Sequence, residues 1–268
     1  MELLLNYLYQ VIFTVGIIVI FGLIIALCRR GFCRLIGYNG PRILLATGIV
    51  GTPIHELSHA LFCLIFGHKI VEMKLYQPGS DDGTLGYVSH TFNPRNIYHQ
   101  IGNFFIGVGP ILGGSGVLLL LMWGLTPELF GGVLETLGGL EPFADFSSVG
   151  DYMGALWEVV VQIFAGENLA DWRWWIFIVL AFMIASHMEL STADIKGSVK
   201  GLLIILGIIL VMDLILFLIS VDVLATVTSA MASFALYVVG FLFLSGVFAL
   251  AMLFIALIIR GIRLIFGR

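Results

Sequence analysis

Ile43-Leu44-Leu45-Ala46-Thr47-Gly48-Ile49-Val50-Gly51-Thr52-Pro53-Ile54-His55-Glu56-Leu57-Ser58-His59-Ala60-Leu61-Phe62-Cys63-Leu64-Ile65-Phe66-Gly67 is the stretch that decides how this chain is read. As a helix it is long enough to cross the hydrocarbon core of a bilayer, which takes roughly 20 apolar residues. Yet it carries His55, Glu56 and His59. Ionisable side chains inside a span are costly unless they find partners, so they mark either a functional site or bundle-facing groups that pair among themselves. The spacing favours a site. His55 and His59 stand at i and i+4 on one helical face, which lets both imidazoles reach one Zn²⁺. Glu56 lies about 100° further round the helix, close enough to approach a water on that metal. Zinc lowers the pKa of such a water to about 7, and a carboxylate can then take its proton. His55 and His59 are therefore the expected metal ligands and Glu56 the expected catalytic base.

The remainder of the chain fits a membrane setting. Of 268 residues, 60% are hydrophobic and 11% charged, whereas a soluble domain carries about a quarter charged residues. The mean hydropathy is +1.07. Lipid must cover much of a surface built from this composition. Further spans are expected at Leu3–Cys28, Ile101–Leu125, Trp174–Met188, Gly201–Ser220 and Ser233–Ile259. The expected fold class is thus an all-α polytopic membrane protein of about six transmembrane helices, multi-pass in the cell membrane. Residues 1–268 form a single membrane-embedded domain in this reading. The net charge of −4 gives no basic footprint for nucleic acid. Cys28, Cys33 and Cys63 lack CxxC spacing and imply no disulfide framework. Leu3–Cys28 is far longer than a signal-peptide core, so no cleavable signal is expected.

Two connections stand out. In the first, 69–100, the run Lys69–Tyr76 alternates so that Val71, Met73 and Leu75 share a face. The turn-forming cluster Pro78–Gly83 and then Thr84–His90 follow, which predicts a small β-hairpin directly after the HExxH helix. The second, 126–171, is an acidic loop without Lys or Arg, in which Tyr152–Phe164 is amphipathic and suited to an interfacial helix. The distribution of Lys and Arg favours a cytoplasmic hairpin with both termini inside, against the pull of the Arg29–Arg42 cluster.

A hydrolytic zinc takes three protein ligands and keeps one position open. The third should come from another span at similar depth. His187-Met188-Glu189-Leu190-Ser191-Thr192-Ala193-Asp194 is the other polar, carboxylate-bearing patch at a span boundary, and it offers Asp194, Glu189 and His187. Asp194 also suits a helix N-terminus. Asp213, in the fifth span, reads as a hydrogen-bonding residue towards a neighbouring helix. Cys63 reads as a small buried hydrophobe on the His55 face. His68, His90 and His99 read as solvated or interfacial, with a fourth ligand as the lesser alternative. Gly102–Gly114 reads as a close-packing helix loosened by Pro110. Trp172, Trp174 and Trp175 read as an interfacial belt.

His55–His59 in a span, a hairpin directly after it, and an Asp shortly before a Gly near a later span together resemble the site-2 protease family of intramembrane zinc metalloproteases. The resemblance covers roughly Ile43–Gly197, and the chain has the look of a divergent member without a PDZ-like insert. In that family an Asp of an LDG-type motif completes the metal site; here Asp194-Ile195-Lys196-Gly197 is the nearest match, which selects Asp194 from the three candidates. The family also places a glycine-rich helix with a polar residue near its active site, a place that Asn103 would take. The resemblance implies hydrolysis of peptide bonds in membrane-anchored peptide or protein substrates, with Zn²⁺ as cofactor and the lipid bilayer as the surrounding partner. The sequence names no substrate-binding residue. The same metal chemistry would serve a membrane hydrolase of lipid amide bonds. A non-catalytic metal-binding membrane protein is the third reading, and Glu56 argues against it.

Overall fold

Long uncharged apolar runs can hide their backbone polar groups from lipid only by bonding them within a helix, and helices make up most of this chain. The computed structural model describes residues 2–80, 83–139 and 148–266. Asp81 and Asp82 of the expected turn, residues 140–147 of the acidic connection, and Arg268 lie outside them. Helix α1 (Glu2–Val11) passes through a π-helical turn, Ile12–Gly16, into α2 (Ile17–Ile36). Gly37, at φ 68°, takes the left-handed backbone that a side chain disfavours. It turns the chain through Gly37–Asn39 into α3 (Gly40–Ile65).

The hairpin follows as β1 (Lys69–Lys74) and β2 (Tyr87–Thr91), which pair antiparallel. The register skips between Ile70 and Glu72. This bulge breaks the expected alternation: Val71 is exposed and Ile70 is the half-buried residue. Thr84 to Gly86 lie ahead of β2, although Gln77 N–H still bonds Leu85 C=O at 2.7 Å.

Helix α4 (Ile97–Leu125) begins at Asn96, whose side chain accepts from Tyr98 N–H. The acidic connection is more ordered than a loop with one interfacial helix. It folds as α5 (Pro127–Gly138), α6 (Ser148–Ile163) and a 3-10 turn, Gly166–Ala170. Pro127 opens α5 because a proline loses nothing at a helix start. Tyr152, Val159 and Ile163 of α6 are buried, and Gln162 of α6 donates to Thr136 of α5 at 2.8 Å.

Helix α7 (Trp172–Ala185) is capped by Asp171. Trp172 and Trp175 are exposed, as a belt requires, but Trp174 is buried and its indole N–H donates to Ile163 C=O at 2.8 Å. Helices α8 (Thr192–Ile219) and α9 (Val221–Ile265) complete the chain. Helix α8 starts at Thr192 rather than near Gly201 because Ser191 and Asp194 form a capping box, each side chain bonding the other's backbone N–H. Asp194 therefore sits in its first turn.

Leu3–Ile65, Ile97–Leu125, Thr192–Ile219 and Val221–Ile265 are long and apolar enough to cross a membrane. By this measure the chain is a membrane protein. Two expected spans fall inside the first of these, on either side of Gly37, and α7 is shorter than a full crossing. Helix α4 is central and packs against α3, α7, α8 and α9. Over its most apolar window 56% is buried, against 11% for α8. Ile25, Ile111, Leu118, Phe177, Ile184 and Phe248 are almost fully enclosed and anchor the core.

The glycines of α4 let its neighbours approach. A Cβ on Gly107 would collide with Ser198 Oγ and the Asp194 carbonyl of α8, and one on Gly113 with Ser58 of α3. Asp213 finds its partner on α1, where Gln10 donates to it at 2.8 Å and to Thr228 of α9 at 3.0 Å.

Candidate metal centre

The α3 face places His55 and His59 one turn apart, and two main-chain carbonyls orient their rings. His55 Nδ1 bonds the carbonyl of His187 at 2.6 Å, and His59 Nδ1 bonds that of Ile106 at 2.7 Å. Both carbonyls are released from helical bonding by local sequence. His187 lies just past the end of α7. Ile106 stands four residues before Pro110, which has no N–H to offer it. Because a carbonyl can only accept, each Nδ1 carries the proton and each Nε2 is left with a lone pair.

Those two Nε2 atoms are 3.1 Å apart. Asp194 Oδ1 lies 3.4 Å from His59 Nε2. Its other oxygen, Oδ2, accepts from Ser191 N–H at 2.7 Å. The carboxylate thus divides its work: Oδ2 closes the helix cap and Oδ1 faces the imidazoles. All three ligand atoms lie within 4.8 Å of one another. Lone pairs gathered in this way, with His59 buried, repel each other unless a cation lies among them. Two imidazoles and one carboxylate, with a position left open, form a donor set that fits Zn²⁺.

The other two candidates are engaged elsewhere. Glu189 pairs with Arg29 at 2.5 Å and with Arg30 at 3.8 Å. The ring of His187 meets Thr47 Oγ1 at 3.1 Å and Thr52 Oγ1 at 3.4 Å. His187 contributes its carbonyl to the centre rather than its ring. That role had no side-chain signal in the sequence. The role of Ile106 did have one: the residue four places before a proline in a helix owns an unbonded carbonyl.

Glu56 is buried and lines, with His55, His59 and Asp194, a cavity of about 620 Å³. The opposite wall is the hairpin, from Gly83 through Val88, together with His90. Gly86 lies against Glu56; a Cβ there would come within 2.8 Å of Glu56 Cγ and 2.9 Å of the Lys74 carbonyl. Only a glycine lets the hairpin rest this close to the carboxylate. Beyond β1, β2 has no further strand partner among the described residues. Asn103 does not line the cavity.

Cys63, one turn beyond His59, is fully buried, as a small hydrophobe would be. His68 is buried as well and His90 is half-buried, where the sequence reads both as solvated or interfacial. Burial lowers the pKa of both rings and favours their neutral forms; for His90 the neighbouring His68 and His59 add to the effect. Comparison with family models, curated proteins and solved structures returns no match for this chain.

Proposed function

We propose that this chain is an intramembrane zinc metalloprotease, a divergent member of the site-2 protease family. In this reading it is a six-span protein of the cell membrane that hydrolyses peptide bonds of membrane-anchored substrates. The six crossings would be the two halves of Leu3–Ile65 on either side of Gly37, then α4, α7, α8 and α9. The observation that carries the reading is the convergence of His55 Nε2, His59 Nε2 and Asp194 Oδ1 beside Glu56 in one cavity.

Bound by these three residues, zinc would polarise the scissile carbonyl and acidify the attacking water. Glu56 takes the proton from that water as its oxygen bonds the carbonyl carbon. It then delivers the proton to the departing amine nitrogen as the carbon–nitrogen bond breaks. A helical substrate must unwind first, because its carbonyls are already hydrogen-bonded. Tyr87 and Val88 of β2, a strand with no partner beyond β1 among the described residues, line the cavity and support a peptide over a lipid amide: a strand edge can hold extended backbone by β-addition, whereas an acyl chain gains nothing from it.

The test is Glu56→Gln in the full chain. Zinc content should stay near that of the wild type, because Glu56 is not a ligand, while turnover falls at least about a hundredfold. Comparative proteomics of membranes carrying active protein or the variant should show substrates accumulating with the variant. A Gln variant that cleaves at near wild-type rate removes Glu56 as the base, and membranes in which no protein differs between the active chain and the variant overturn the protease reading.

A further inference from the structure

A second cluster of metal-binding side chains stands one turn beyond the first. Cys63 ends the His55–His59 face of α3, His68 lies between α3 and β1, and His90 belongs to β2. Their ligand atoms all lie within 4.8 Å of one another. The Nδ1 atoms of His68 and His90 are 3.1 Å apart. His68 Nε2 bonds the His99 carbonyl at 2.9 Å. That carbonyl can only accept, so Nε2 carries the proton of His68 and Nδ1 presents its lone pair to the cluster. A carbonyl that fixes the tautomer of a ring in this way is the usual outer support of a ligating histidine. The same device orients His55 and His59.

We infer that Cys63, His68 and His90 form a second metal site, separate from the His55–His59–Asp194 centre, for a thiophilic divalent cation of the Zn²⁺ class. The donor set is one sulfur and two nitrogens. A thiolate selects against hard cations such as Mg²⁺ and Ca²⁺, whereas Zn²⁺ accepts both donor types. Around a tetrahedral zinc with bonds of about 2.0–2.3 Å the donor atoms stand roughly 3.3–3.7 Å apart, so the two imidazoles open slightly from 3.1 Å and the Cys63 sulfur, within 4.8 Å of both, closes in by at most about an ångström. His99 is not the fourth ligand: its Nδ1 accepts from Asn93 N–H at 3.2 Å, which leaves the proton on Nε2. Water takes the remaining position.

The site joins three pieces of chain that no disulfide links. Cys63 is on the helix that carries Glu56, and His90 is on the strand that walls the cavity. A cation there clamps the hairpin to the end of α3 and keeps Gly86 against Glu56. Its role is structural, and it stands whether or not the first centre is catalytic.

Cobalt substitution tests this with a signature only a thiolate can give. The purified full chain is reduced, freed of metal and loaded with Co²⁺. The wild type should bind about two ions and show a near-ultraviolet sulfur-to-cobalt charge-transfer band, while the first centre, which has no sulfur, contributes none. Cys63→Ser should lose the band and retain about one ion, and His90→Ala should weaken or abolish the band. His59→Ala and Asp194→Ala should lower total metal and keep the band. A wild type without the band overturns the inference. So does a band that survives Cys63→Ser, and so does one abolished by His59→Ala, which would place the sulfur on the first ion.

Discussion

Pro110 has no amide proton, and the consequence appears four residues earlier, where the Ile106 carbonyl turns to His59 instead of its own helix. Pro110→Ala restores a competing donor within the helix. The expected result is intact folding with zinc affinity at the first centre reduced by about tenfold or more, the range for loss of an outer partner of a ligating histidine. A chelator-competition titration of the variant against wild type measures it, and unchanged affinity would show that His59 is held without Ile106. At this scale the sequence was readable where chemistry depends on local spacing. His55, Glu56 and His59 could be singled out because an i, i+4 pair needs no knowledge of the fold. The third candidate ligand was readable only as a short list. What sets Glu189 apart is Arg29, 160 positions away in the chain, and what holds the His187 ring is Thr47 and Thr52 on another helix. Such long-range partners leave no pattern in a local window.

At the scale of elements, the distance between helices is controlled by residues that lack a side chain. Gly107 of α4 faces the first turn of α8 at Asp194 and Ser198. A branched side chain there has no space to enter, so the two helices must part. Gly107→Val should move Asp194 away from the imidazoles. The expected outcome is loss of zinc from the first centre with helical content retained, checked by metal analysis alongside circular dichroism. Zinc retained at the wild-type level would mean that the start of α8 is fixed by contacts other than this one. The hairpin was legible because Pro78–Gly83 concentrates turn formers between two β-prone runs. Its bulge at Val71 was not, since a bulge belongs to the register between two strands and not to either run alone. The start of α8 was legible only in part: hydropathy locates the apolar body from Gly201, while the fitness of Asp194 for a helix N-terminus is the one sign of the capping box that extends the helix to Thr192. The acidic connection shows the opposite bias, where charge suggested a loop and the hidden faces of α5 and α6 made helices.

For the molecule as a whole, composition pointed to a membrane and was silent about arrangement. Four helices qualify as crossings by length and hydropathy. The expected spans Leu3–Cys28 and Ile43–Gly67 merge into one helical run because the turn between them is only a few residues long. Helix α8 presents the most consequential contrast. It places Asp194 beside the two imidazoles, yet only 11% of its most apolar window is buried. If this helix crosses the bilayer, its inclination depends on the acyl chains around it as well as on its packing against α4, α1 and α9, and Asp194 at its end moves as it tilts. Hydrophobic mismatch costs a fraction of a kcal/mol per Å, so about 5 Å of mismatch is worth on the order of 1 kcal/mol, several-fold in affinity. Zinc affinity at the first centre, measured in bilayers of graded acyl-chain length with one headgroup, should peak at one thickness and fall on either side. A flat profile would assign the tilt of α8 to its packing against the other helices alone. Where the peak exists, the thickness of the surrounding bilayer acts as a tuning variable for the metal, and the same chain would be differently poised in thin and thick membranes without any change in its own residues.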